Sequence, residues 1–532
     1  MMFHSPIFIL GFLPVCLAGF FAIGHALGTS GALAWLIGAS LVFYGWWNPS
    51  FLPLLVGSVV ANYAIACKIR HSVRPRVWMA TGVAANLAGL GWFKYADFVL
   101  HIFDPAAPPL GVTLPLAISF FTFQQIMVLV DTARVCDLHG CRSDVAVRPG
   151  PAMHDLAVPG IASRGWPGQA RPRHKNAAGA ETRTAAGKGY AFLPYFAFVT
   201  FFPHLIAGPI VRAAEIIPQL ADPDLARPHN DNLTAGLLIF LLGLGKKCVL
   251  ADMFGGFADT GFGAASHGVD LTFFEAWYAT LSYALQIYFD FSGYSDMAIG
   301  LARMMNVRFP LNFDSPYQAT DISAFWRRWH ITLGAFLRDY LYIPLGGSRV
   351  GRLRQTANLM ATMLLAGLWH GAGWNFVVWG GLHGLFLAIH RLYRRRCPPL
   401  PAALGQALTL FAVILAWVPF RAGSLSETMI VLRGMFDCNG IALPQMIVSA
   451  LPPLAAIAEP VAVMPSLGDA RTLSFPEVSA CLLLGWFIVL AVPNIHRMTG
   501  TARHWALTSG FALSVQAVFF APHAVPFLYF RF

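Results

Sequence analysis

Two histidines stand in settings that could support acid–base chemistry. His330 closes the run FWRRWH, and His370 lies in LLAGLWHGAGWNFVVWGGLHG, residues 364–384, within a stretch from Thr356 to His390 that holds no Asp, Glu, Lys or Arg. An imidazole kept from water is neutral, the state in which it accepts a proton from a hydroxyl. The same burial suits a histidine that only hydrogen-bonds inside a core, and on residue types alone both readings stand. Asn375 stands five residues after His370, so it need not share its helical face, and it suits packing or backbone bonding at a helix break. Trp326, Trp329 and Trp369 could wall a cavity or anchor at the membrane interface. Arg327 and Arg328 could attract a phosphate-bearing donor or mark the cytoplasmic side.

The elements that must position these residues are membrane helices. Of 532 residues, 57% are hydrophobic and only 11% charged, and the mean hydropathy is +0.59. The apolar residues come in runs of roughly 20, the length that crosses a bilayer. Such runs lie near Pro6 to Leu27, Ala32 to Trp47, Phe51 to Cys67, Trp78 to Phe98, Tyr190 to Ile210, Leu233 to Leu250, Phe273 to Phe289, Thr356 to Ile389, Leu404 to Phe420, Ile441 to Met464, Val478 to Val492 and Trp505 to Phe520. The expected fold is an all-α polytopic membrane protein, a multi-helix bundle with re-entrant segments. The first run has no basic residues before it, so it is read as a retained helix rather than a signal peptide.

The formal net charge of +11 does not point to nucleic acid, because the basic residues cluster at the ends of apolar runs. Lys68, Arg70, Arg74 and Arg76 form one cluster; Arg391, Arg394, Arg395 and Arg396 form another. Both are expected in the cytoplasm, which places the N-terminus outside. The eight cysteines are scattered and imply no disulfide framework.

Residues 1–134 are read as N-terminal transmembrane helices, 190–395 as the catalytic membrane core and 396–532 as C-terminal transmembrane helices. Between them, Val135 to Gly189 is rich in Pro, Gly, Arg and Ala and is expected to be a polar, disordered loop or insertion. Its CDLHGC supplies too few ligands for a metal site, and the His139 to Asp144 spacing has no apolar context. No metal site and no bound cofactor are expected.

Residues 288–349 are too charged for an ordinary spanning helix and too aromatic for a solvated loop, so they are expected at the interface or re-entering the membrane. Asp290, Asp296 and Arg303 there suit buried structural pairs. The charge-free run from Thr356 to Ile389 would measure roughly 50 Å as one helix, more than the hydrocarbon core. Its glycines, and the basic residues at both ends (Arg354 and Arg391), predict a hairpin or re-entrant path with His370 near the turn or the midplane.

FDFSGYSDMAIGLARMMNVRFPLNFDSPYQATDISAFWRRWHITLGAFLRDYLYIPLGGSR, followed by GLWHGAGWNFVVWGGLHG, closely resembles the membrane-bound O-acyltransferase family, in its branch of alginate O-acetylation and teichoic acid D-alanyl transfer proteins. FFPHLIAGPIVR, GWFKYADF, ISFFTFQ and PFLYFRF extend the likeness to both ends of the chain. The resemblance implies a helix bundle around a transmembrane funnel, with His370 catalytic and His330 a second active-site residue. Asn375, Arg327, Trp326, Trp329 and Trp369 would support them or bind the donor. It further implies an acyl donor such as acetyl-CoA or another thioester, a polysaccharide acceptor such as alginate or cellulose, and an extracytoplasmic esterase-like partner. It places the chain among membrane lipid, in the bacterial inner membrane. D-alanyl transfer is the alternative within the family. Against this family Val135 to Gly189 looks like an insertion or a stretch translated in another frame. A transporter is the alternative from another class, though no matching pair of broken helices in two halves is apparent.

Overall fold

A computed structural model describes residues 1–139, 190–456, 458–461, 475–498, 508–510, 512–514, 516 and 528. The expected polar loop falls almost wholly outside them, as do Cys141, Asp144 and most of the run from Trp505; its first residues, Val135–His139, are helical. The chain is an all-α polytopic membrane protein. Five stretches among the described residues are long and apolar enough to cross a membrane: Ile7–Gly45, Pro49–His71, Asn230–Ser266, Ala402–Arg421 and Pro476–Arg497.

Helix α1 (Leu13–Gly45) is two helices folded on each other at Gly28, whose φ of 71° suits a residue without Cβ. Trp35 Nε1 donates to Cys16 O at 3.0 Å, although 19 residues separate them; on a straight helix that spacing would span about 28 Å. The two leading apolar runs are therefore separate passes, as their spacing suggests. Helices α2 (Leu52–His71) and α3 (Pro75–Leu90) follow. A π-helical turn, Gly91–Tyr95, leads into α4 (Ala96–Phe103). Helix α5 (Ile118–His139) is a long, largely buried helix that the apolar runs do not reveal, because Gln124, Gln125, Asp131 and Arg134 dilute its hydrophobicity.

Two expected spans are not single helices. The run from Tyr190 breaks into α6 (Phe192–Thr200) and α7 (Phe202–Leu205) at Phe201, with Pro203 in the first turn of α7, where its missing N–H costs nothing. The run from Ile441 forms strand β1 (Ala442–Pro444) paired in parallel with β2 (Glu459–Val461) across a short intervening helix, Gln445–Ala450. Pro444, Pro452, Pro453 and Pro460 are spaced too densely for a continuous helix.

The central bundle comprises α8 (Ala213–Leu220), α9 (Asn230–Gly245), α10 (Asp252–Ser266) and the 32-residue α11 (Phe273–Met304). Asp296 of α11 pairs with Lys246 at 2.7 Å and His496 at 2.9 Å, while Asp290 pairs with Lys247 at 3.3 Å. Both aspartates thus tie helices together, as the structural reading holds. Residues 305–351 then run as short pieces, including α12 (Ile322–Trp326) and α13 (Ile331–Leu337).

The long charge-free run is a hairpin: α14 (Arg352–His370) turns at Gly371–Gly373 into α15 (Trp374–Arg396). Two further helices, α16 (Ala402–Arg421) and α17 (Leu425–Met435), and then α18 (Phe475–Ala491) complete the described fold. The hairpin's arms touch backbone to backbone. A Cβ on Gly380 would collide with the carbonyl oxygen of Met363, whereas one on the neighbouring Gly381 would meet its nearest atom, a Leu364 methyl, at an ordinary 3.6 Å. Gly380→Ala is therefore expected to destabilise by about 1–3 kcal/mol through overpacking, while Gly381→Ala is neutral or stabilising by up to about 1 kcal/mol through helix propensity. Thermal unfolding of the two proteins in detergent checks this contrast between adjacent glycines.

Candidate active site

His370 is the last residue of α14 and is buried at the hairpin's tip. A helix end leaves its final carbonyls without intrahelical partners, and here residues from GWFKYADF take them. Lys94 Nζ donates to Trp369 O at 2.6 Å and to His370 O at 3.3 Å, and Tyr95 OH donates to Leu368 O at 3.0 Å. The imidazole of His370 packs edge-on against Trp369, Trp379 and Phe420, with ring centroids 4.8, 5.0 and 5.1 Å away.

His330 is buried near the same indole, its ring centroid 6.4 Å from that of Trp369. Its φ of 43° and ψ of 56° are left-handed, a conformation that costs a non-glycine residue on the order of 1 kcal/mol and persists where surroundings over-determine it. Those surroundings centre on Asn312. Its Oδ1 accepts from Thr332 Oγ1 at 2.9 Å, from Thr332 N at 3.3 Å and from His330 Nδ1 at 3.1 Å. Because a backbone N–H can only donate, the bond from Thr332 N fixes this atom as an acceptor, and His330 Nδ1 must carry the proton. His330 Nε2 then presents a lone pair, with no partner among the described residues. Thr332 Oγ1 also accepts from Ile210 N at 3.0 Å, which joins FFPHLIAGPIVR to the site.

His204 in that motif shows what a satisfied core histidine looks like. Its Nδ1 accepts from Gln124 Nε2 at 2.5 Å and its Nε2 donates to Phe198 O at 3.0 Å. His383 is the opposite case: it is fully buried, neither ring nitrogen has a partner among the described residues, and it lies 4.8 Å from Trp379 and 5.0 Å from Trp326. Sequence reasoning did not single it out, although it stands four residues after Trp379, on the same helical face. Trp326, Trp369 and Trp379 likewise have indole N–H groups unpartnered among the described residues. Such groups are rare in interiors, and several cluster here among the described residues.

Of the other residues singled out from sequence, Asn375 and Trp329 are held by protein partners and Arg327 is exposed. Asn375 donates to Pro419 O at 3.2 Å and Ala422 O at 2.7 Å, holding the end of α16. Trp329 stacks with Phe325 and packs on Trp417. Arg327 is exposed near His390, which follows Trp374 by 16 helical residues, about 24 Å along α15.

A cavity of about 170 Å³ opens at the tip, lined by His370, Trp369, Lys94, Trp47, Phe120 and Ala207 among others. The basic residues mark the opposite side. Arg352 begins α14, about 27 Å below His370 along the helix. Arg76, near the start of α3, pairs with Asp137 at 3.1 Å, and Arg134 donates to Asp339 O at 2.9 Å. On this rim Asp339 pairs with Arg338 and Arg212. Burial acts against its ionised form, and the two guanidiniums overcome that and hold its carboxyl below the usual carboxylate range.

Residues 108–430 match the membrane-bound O-acyltransferase family. The chain is 40% identical, over 100% of its own length and 98% of the relative's, to a peptidoglycan O-acetyltransferase of Helicobacter pylori. It is 37% identical to a probable alginate O-acetylase, AlgI, of Pseudomonas aeruginosa, over 82% of this chain and 75% of that one. A teichoic acid D-alanyltransferase of Streptococcus thermophilus is 28% identical over 46% of this chain and 65% of its own. The Asn312 network predicts that Asn312→Ala, which strands the Thr332 N–H and frees the His330 ring, lowers stability by about 1–3 kcal/mol. Unfolding of the purified protein in detergent, compared with the wild type, measures this loss.

Proposed function

We propose that this chain, which belongs to the membrane-bound O-acyltransferase family and is an acyltransferase, moves acetyl groups from a thioester donor on the cytoplasmic side to a glycan outside. The observation that carries this reading is the placing of His370. It sits at the closed end of a hairpin whose open end bears Arg352, Arg354 and Arg394–Arg396, beside a cavity on the far side from that rim. With basic residues inside, the reacting histidine is reached by a donor from the cytoplasm and by an acceptor from the exterior. The chain then resides in the bacterial cytoplasmic membrane.

In the transfer, His370 takes the proton of the attacking hydroxyl as general base, and the acyl carbon leaves sulfur for oxygen. His330, with its bare Nε2 fixed by Asn312, accepts a hydrogen bond from donor or acceptor and orients it. Acetyl-CoA or another thioester is the donor. The full-length likeness to a peptidoglycan O-acetyltransferase favours that class of glycan as the final acceptor, and the alginate O-acetylase likeness supports a second reading as an exopolysaccharide enzyme. The chain contains no G-x-S-x-G element, so an extracytoplasmic esterase-like partner completes the delivery.

His370→Ala should leave the protein inserted, because an uncharged imidazole is lost and no charge is stranded. Glycan-bound acetyl should fall about 10²–10⁴-fold at equal protein levels. Sealed vesicles of both orientations, given labelled acetyl-CoA on one face and an acceptor on the other, test the direction. Label on the outer acceptor only when donor is on the cytoplasmic face, and lost with His370→Ala, is the expected result; passage of intact donor without transfer would refute it in favour of a transporter.

A further inference from the structure

Lys94 is a cation placed beside the histidine that takes the hydroxyl proton. It interrupts the apolar run from Trp78 to Phe98 and lies in the π-helical turn Gly91–Tyr95, a local widening often found at functional positions. Its ammonium bonds the last two carbonyls of α14, and its side chain lines the same cavity as His370. Among the described residues it makes no ion pair. The other half-buried and buried lysines of the membrane core do: Lys246 pairs with Asp296, and Lys247 with Asp252 and Asp290.

If Lys94 served only to cap a helix, a neutral donor would do the same work without the cost of a charge in a low-dielectric setting. Tyr95, the next residue, does this with its hydroxyl to Leu368 O. The two carbonyls engage the ammonium without neutralising it, and an ammonium has three N–H groups to offer. An ammonium that no carboxylate among the described residues cancels thus stands at the cavity wall with His370.

We propose that Lys94 is a catalytic residue of the acyl transfer: held by the carbonyls of Trp369 and His370, its ammonium stabilises the negative charge that forms on the acyl carbonyl oxygen. The step balances within the cavity. The hydroxyl oxygen bonds to the acyl carbon as His370 takes its proton; the carbonyl π electrons move onto oxygen, facing Lys94. They return as the carbon–sulfur bond breaks, and the proton passes from His370 to the departing thiolate. The reading rests on the acyl-transfer function proposed above.

The decisive variant is Lys94→Gln, which keeps an N–H₂ group to donate to the two carbonyls and removes the charge. Lys94→Arg keeps the charge, and Tyr95→Phe loosens the helix end without touching it. Each replaces the wild-type chain in cells that supply their own donor and acceptor, and glycan-bound acetyl is measured against the amount of protein that melts cooperatively in detergent extracts. Lys94→Gln should lower transfer on the order of a hundredfold or more, as loss of an oxyanion donor does, with Lys94→Arg retaining more than about a tenth of the activity. Tyr95→Phe should cost much less than Lys94→Gln. If the glutamine protein does not accumulate, Lys94→Met takes its place. Transfer by the uncharged variant within about threefold of wild type, or equal losses in the arginine and glutamine proteins, would overturn the proposal. Equal acetyl in wild-type and His370→Ala cells would instead remove the acyl-transfer reading, and the role of Lys94 with it.

Discussion

A helix that ends inside a membrane protein leaves carbonyl groups where no bulk water can reach them, and each must find a donor in the protein. Helix α14 ends at His370 under that constraint. Lys94 and Tyr95, brought from α3 and its π-helical turn, take the carbonyls of Leu368, Trp369 and His370. The clamp fixes the position of the imidazole, because the last residue of a helix moves with the carbonyls of its final turn. It also brings a charge to this wall, the only one among the described residues that line the cavity, beside a histidine whose own stretch carries none.

The hairpin makes that ending possible. Close approach of α14 and α15 through Gly380 and Met363 holds the arms at backbone contact, so the chain reverses within three residues. Both open ends carry arginine, and the reversal places His370 a helix length away from them. One element therefore separates His370 from the basic rim, and no second crossing is needed to carry the histidine away from it.

The aromatic residues around the tip do more than fill space. Trp369 neighbours both His330 and His370, and Trp326 of α12 joins Trp379 and His383 of α15 in the same aromatic cluster. Their unpartnered N–H and N groups contrast with His204, where both nitrogens are bonded by protein. Ion pairs elsewhere serve cohesion: Asp290 pairs with Lys247 and Asp296 with Lys246, and His496 contacts Asp296 as well.

The sequence by itself determined that the protein is a helical membrane bundle, because long apolar runs admit little else. It also determined that the run around His370 turns back, since roughly 50 Å of charge-free helix between two basic ends cannot cross a core of about 30 Å once. Helix α5 was hidden by its glutamines, and the run at Ile441 was misread as a span because hydropathy is blind to proline spacing. His370 was legible as an ionisable group in an apolar run and His330 as one closing an aromatic, charged stretch, and the resemblance to an acyltransferase family suggested roles for both. Only the tertiary structure decided what each side chain does with its hydrogen bonds. It turned Asn375 toward the end of α16, left Arg327 on the exposed rim, fixed the His330 proton through Asn312, and brought Lys94 to His370 across 276 residues of chain. The physical reason is that spacing along a helix predicts which face a residue shares, while partners from other helices are chosen by packing, which local pattern does not encode.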